Sequence, residues 1–135
     1  MKIFIDTGAF IALTDTTDQY HFKALDFAKH ESSKYQQVTS NFVICETLNF
    51  LRTRASYEAS ITFGEKIRES KSINIIHISP LIENKAWDIF KQYKDKDFSF
   101  TDCTSFIVIE SLKTNHVFGF DIHFKQFGLK LLPFL

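Results

Sequence analysis

The sequence predicts an α/β fold in three layers, α/β/α, built on a mostly parallel sheet of about five strands. Three observations lead there. Short apolar runs alternate with longer segments of helical period along the chain, and that alternation implies parallel strands joined by helices that cover both faces of the sheet. Four of the five runs are rich in Ile, Val, Phe or Leu, as buried strands are. No internal repeat, low-complexity tract or linker interrupts the pattern, so residues 1–135 are expected to form one domain.

The elements follow in order. Ile3 to Ile5 is the first strand, and it ends on a carboxylate, Asp6. Asp18 to Ser33 has helical period. Gln37 to Thr39 is the least apolar of the strands. Asn41 to Ser70 is long enough for two helices, broken near Ser56. Ile73 to Ile78 is the third strand, followed by a helix over Leu81 to Lys94, in which Ile82, Ala86, Ile89, Phe90 and Tyr93 recur on one face. Asp102 to Thr114 is the last long helix. It leads into the strand His116 to Phe120, and Lys130 to Leu132 closes the sheet.

Composition excludes several classes. Sixteen basic and sixteen acidic residues cancel, so no net field attracts a polyanion, and any nucleic-acid contact must come from a local patch or a bound cation. Cys45 and Cys103 each lie in an apolar stretch with no neighbouring Cys or paired His. They are expected to be reduced core thiols, in neither a disulfide framework nor a zinc site. The apolar run before Asp6 is three residues long, against the ~18 that a membrane span needs. A cytoplasmic protein, neither exported nor anchored, is expected.

In open parallel sheets, ligands bind beyond the carboxyl ends of the strands, where strand order reverses. Asp6 lies at the carboxyl end of the first strand, and Asp121, in "HVFGFDIHF", at that of a later one. If those strands are neighbours, the two carboxylates face each other. Glu46, in "TSNFVICETLNF", and Asp102, in "FSFTDCTSF", are candidates to join them. Four converging carboxylates repel one another unless a cation sits among them, and an all-oxygen set suits Mg²⁺ or Mn²⁺. Each acid also has an ordinary explanation. Asp6 or Asp121 is a common turn residue after a strand, and Asp102 with Ser99 matches a capping box. Glu46 fits a solvated helix face with Asn49 and Thr53. His123 reads as a surface turn histidine or as a phosphate contact.

"FIDTGAFIAL", "NFVICETLNFL", "FSFTDCTSFIV" and "GFDIHFKQFGLKLLP" occur in the order and at about the spacing of the acidic motifs of PIN-domain ribonucleases. The chain resembles that family over almost its whole length, and in particular its small VapC-type toxins. The resemblance implies a PIN-like fold and a Mg²⁺- or Mn²⁺-dependent endoribonuclease with Asp6, Glu46, Asp102 and Asp121 as its catalytic and metal-binding acids. It also implies an RNA substrate, a cognate antitoxin and a homodimer. One departure is Gly8, where members of the family often carry Ser or Ala, which leaves Thr7 as the hydroxyl to support metal or phosphate.

Rival enzymes fail on single residues. A phosphatase of the haloacid dehalogenase type needs a second acid two residues after Asp6, where Gly8 stands. A receiver domain needs its Asp after the third strand, and "INIIHISP" has none. The remaining alternative is a non-catalytic or RNA-processing protein of the same fold that binds. Substrate contact would fall to Arg52 and Arg54, or to Lys94 and Lys96. Sixteen phenylalanines exceed what a small core needs, so Phe22 to Phe27 and Tyr57 to Ile67 are candidates for a homodimer face or an antitoxin groove.

Overall fold

The computed structural model describes residues 1–134. Strand β1 (Lys2–Ile5) leads into helix α1 (Thr7–Thr14), then α2 (His21–His30), a 3₁₀ turn (Ser32–Lys34), β2 (Gln36–Ser40) and α3 (Asn41–Phe50). A π-helical turn (Leu51–Ala55) joins α3 to α4 (Tyr57–Glu69), followed by β3 (Ile73–Ile76), α5 (Pro80–Gln92) and α6 (Phe100–Ser111). The chain continues through β4 (His116–Phe118), α7 (Ile122–Gln126) and β5 (Lys130–Leu132). The sheet order is β3-β2-β1-β4-β5, and every pairing is parallel. Strand order therefore reverses between β1 and β4, which are hydrogen-bonded neighbours, so the condition for Asp6 to meet Asp121 is satisfied.

Two helices were not expected. In α1 the sequence TGAFIALT is apolar on nearly every side, with Thr7, Ala9, Phe10, Ile11 and Ala12 buried; it has no polar stripe to reveal a helical period. Helix α7 is five residues long, too short for any period. Helix α2 begins at His21, later than expected, because two Asx turns hold the preceding residues. Asp15 Oδ1 accepts from the Thr17 amide at 2.9 Å, and Asp18 Oδ1 from the Tyr20 amide at 2.8 Å. The break near Ser56 is real, and Ser56 caps α4 by accepting from the Ala59 amide. β3 and β4 each end two residues early. Beyond β4, the Gly119 amide still donates to Leu132 O at 3.1 Å.

The thiols divide. Cys103 is buried, and burial pushes its pKa up to about 11. Cys45 is exposed, against expectation: it lies on the side of α3 away from the buried Val43 and Thr47. Neither forms a disulfide.

Phenylalanine builds much of the core. Phe106 of α6 stacks on Phe127 at 4.1 Å and 7°, and meets the edges of Phe98 at 5.0 Å and Phe124 at 5.4 Å. This cluster locks α6 against α7, the two helices that carry Asp102 and Asp121. The segments expected to form an apolar surface do so only in part: Phe22, Tyr57 and Ile61 are exposed, whereas Phe27, Phe63 and Ile67 point into the core. Among the described residues, no helix is long and apolar enough to cross a membrane. Phe106→Ala should lower unfolding stability by about 3–5 kcal/mol, read as a lower urea midpoint at unchanged slope. A loss below about 1 kcal/mol would mean that the stacked cluster does not hold the two helices.

Candidate active site

The four acids reach one crevice from four helix starts or faces. Asp6 follows β1 directly and stands at the N-cap of α1, where its carbonyl accepts from the Ala9 amide at 3.1 Å. Its own amide donates to Phe118 O at 3.0 Å, which fixes it to the end of β4. Asp121 is the N-cap of α7, and its Oδ1 accepts from the His123 amide at 2.9 Å. Asp102 is the third residue of α6. Its Oδ2 accepts from the Ser99 amide at 3.1 Å while Ser99 Oγ accepts from the Asp102 amide at 3.0 Å, a complete capping box. The structural and functional readings of Asp102 are thus compatible: the carboxylate that caps α6 also faces the crevice.

Glu46 projects from α3, which Ser40 caps at the end of β2. Glu46 is half-buried, while Asn49 and Thr53 are exposed, so it does not share their solvated face. Thr7 Oγ1 donates to Glu46 Oε1 at 2.7 Å and ties α1 to α3. The Thr7 proton is therefore committed to a carboxylate, so the hydroxyl acts on the site through Glu46.

Burial sets the electrostatics. Asp6 is only 4% exposed and Asp102 only 5%. Desolvation drives the Asp6 pKa well above the ordinary carboxylate value; the Thr7 amide opposes this, and the charges of Asp102, Asp121 and Glu46 push it higher. Asp102 is raised for the same leading reason, with Asp121 adding to the rise and Ser99 and His123 working against it. Among the described residues, no Lys or Arg forms an ion pair with any of the four acids.

The one basic group present is His123. Its Nδ1 lies 3.1 Å from Asp102 Oδ2 and 3.2 Å from Asp121 Oδ1. It is not a solvated surface residue: its Nδ1 is engaged by the two acids, while its side chain stays 25% exposed. The sequence signal was its place two residues after Asp121, which on a helix start brings the imidazole back over the N-cap; without α7 in view, that signal was unreadable.

Two glycines border the site. A Cβ on Gly119 would meet the Asp6 Cβ at 3.2 Å, so only glycine lets β4 leave the sheet against Asp6 without displacing it. A Cβ on Gly8 would stand 3.8 Å from the Phe120 amide nitrogen, an ordinary contact, so nothing in the packing demands glycine there. The expected cationic contacts lie on the surface. Arg52 rests over the Tyr57 ring at 4.9 Å, and Lys96 pairs with Asp95 at 3.5 Å.

A parallel sheet of order 3-2-1-4-5 with carboxylates gathered at its reversal point defines the class, and comparison with known proteins agrees. The chain belongs to the PIN-domain family, whose model matches residues 3–130. The 23S rRNA-specific endonuclease VapC20 of Mycobacterium tuberculosis is 31% identical over 127 residues, covering 93% of this chain and 94% of that protein. A VapC ribonuclease of Archaeoglobus fulgidus is 32% identical over 116 residues, covering 84% and 73%. The crystal structure of Mycobacterium tuberculosis VapC20, described as a sarcin-ricin loop cleaving toxin, matches with a TM-score of 0.89 at 28% identity over 96% of this chain and 97% of that one. FitAcB from Neisseria gonorrhoeae, at 12% identity and a TM-score of 0.68, covering 96% of this chain and 95% of that one, shares the fold.

The raised pKa values have a stability consequence. In the absence of metal, Asp6 and Asp102 hold protons more tightly folded than unfolded. The stability that these two groups contribute is fully present below the unfolded carboxylate pKa of about 3.9 and is lost as pH rises through the raised folded values. Asp6→Asn should flatten that fall and raise the thermal midpoint in chelator near neutral pH, by about 4 °C for each kcal/mol of relieved repulsion. Thermal scans across the acid-to-neutral range check this, with the exposed Glu58→Gln as control. A wild-type profile no steeper than that of Asp6→Asn would show that the buried charge is not opposed.

Proposed function

We propose that this chain is a metal-dependent endoribonuclease that hydrolyses RNA phosphodiesters, with Mg²⁺ or Mn²⁺ as its cofactor and Asp6, Glu46, Asp102 and Asp121 as its site residues. The observation that carries the reading is Asp6, a buried carboxylate surrounded by three more, with no Lys or Arg paired to any of them among the described residues. A donor set of this kind fits a hard divalent cation. Asp6 and Asp102 would hold it directly, and Asp121 and Glu46 would complete the shell. When bound, such an ion lowers the pKa of water and neutralises the charge that develops on the phosphate.

The chain's own groups supply position. The Ser99 amide and the Thr7 hydroxyl fix one oxygen each of Asp102 and Glu46, so the remaining lone pairs are held in known directions. Those lone pairs orient the attacking water in line with the scissile bond. Direct attack by water does not recruit the 2′-hydroxyl, so the products carry a 5′-phosphate and a 3′-hydroxyl.

The names borne by the relatives, a 23S rRNA-specific endonuclease and VapC ribonuclease, support ribosomal RNA as the substrate class, and the description of the VapC20 structure as a toxin supports a toxin as the biological setting; the cytoplasm and a cognate antitoxin are the location and partner we assign with it. The exposed Phe22, Tyr57 and Ile61 are the apolar surface we assign to a homodimer or antitoxin contact. A non-catalytic binding role would leave the repulsion around Asp6 without purpose.

Purified protein should cleave 23S rRNA only with Mg²⁺ or Mn²⁺ and stop on chelation; full cleavage after exhaustive metal removal would refute the reading. Asp102→Asn keeps an oxygen to accept from the Ser99 amide and removes a buried charge, so its far-UV spectrum should match wild type and its metal-free urea midpoint should not fall. Its kcat should fall by more than the roughly 10–100-fold that outer partners of a metal contribute. Retained turnover would return Asp102 to a purely capping role.

A further inference from the structure

Within the metal-dependent reading on which this inference rests, we propose that His123 is itself a metal donor, and that its imidazole biases the site toward Mn²⁺ over Mg²⁺. His123 Nδ1 lies 3.1 Å from Asp102 Oδ2 and 3.2 Å from Asp121 Oδ1, and one ligand atom from each of the three residues can be chosen so that all lie within 4.8 Å of one another. Two adjacent donors about 2.1 Å from a shared octahedral ion stand roughly 3.0 Å apart, and opposite ones roughly 4.2 Å. The two Nδ1 distances therefore match neighbouring positions of one coordination sphere.

Two contacts hold the residue there. Its backbone amide is bonded to Asp121 Oδ1 at 2.9 Å, the Phe98 ring meets it edge-on at 5.6 Å, and the side chain is 25% exposed. Ligation through Nδ1 places the proton on Nε2, which has no hydrogen-bond partner among the described residues and faces water. Mg²⁺ prefers oxygen donors and surrenders its waters reluctantly, whereas transition ions accept imidazole. One nitrogen among carboxylates thus separates the two ions.

A competing explanation is that His123 only donates Nδ1–H to both carboxylates and holds them in place. His123→Asn distinguishes the two, because its amide can still donate at the Nδ1 position but offers no nitrogen lone pair. Metal-free wild type and variant would be titrated with Mn²⁺ and with Mg²⁺ by calorimetry and thermal shift, and Mn²⁺-loaded wild type examined by pulsed EPR for ¹⁴N coupling. Wild type should bind Mn²⁺ at least about tenfold more tightly than Mg²⁺ and show ¹⁴N coupling. The variant should lose most of that ratio while its Mg²⁺ affinity changes by less than about threefold. Absence of ¹⁴N coupling in wild type, or an unchanged ratio in the variant, would overturn the proposal and leave the nuclease reading standing. Binding of neither ion by wild type would overturn both. The EPR measurement needs no variant, so a misfolded His123→Asn leaves the test decisive.

Discussion

A carboxylate buried at the reversal point of a parallel sheet is the constraint that orders the surrounding structure. Taking the Asp6 charge out of water is unfavourable, and placing three further acids beside it compounds the penalty. Whatever holds Asp6 must therefore be rigid enough to resist its escape to solvent. The rigidity comes from the backbone: Asp6 is pinned between the last hydrogen bond to β4 and the first turn of α1. On either side, Ile3, Phe4, Ile5, Val117 and Phe118 are almost wholly buried, so moving Asp6 would disturb the centre of the sheet.

The other acids are positioned by cheaper means. Asp102 and Asp121 stand at helix starts, where each carboxylate also satisfies an amide that the helix leaves unpaired. Local stability and site geometry are thus served by the same atoms. The aromatic cluster of Phe98, Phe106, Phe124 and Phe127 then fixes α6 relative to α7. Glu46 alone reaches the crevice from the middle of a helix, and its side-chain partner, Thr7, lies 39 residues away.

What the sequence disclosed follows from how far each signal travels along the chain. Strands buried on both faces appear as apolar runs, and long helices as periodic ones, so all five strands and the break at Ser56 were legible. The capping box at Ser99 and Asp102 was legible because its partners are three residues apart. The order of the strands, and hence the meeting of Asp6 with Asp121, was conditional, since neighbourhood in a sheet leaves no trace in a single strand. Helix α1 hid because burial on nearly all sides erases its period, and α7 because one turn has none. The role of His123 hid with α7. Cys45 was misjudged because an apolar neighbourhood in sequence does not fix which face of α3 a residue occupies.

Gly119 and Gly8 both border the site and place unequal limits on substitution. A methyl group at position 8 meets nothing closer than 3.8 Å, whereas at position 119 it presses on the Asp6 Cβ at 3.2 Å. At position 8 an alanine therefore fits without displacing a neighbour. At position 119 even a methyl group requires Asp6 to give by a few tenths of an ångström, so that glycine bears on the placement of the buried acid while carrying no functional group at all.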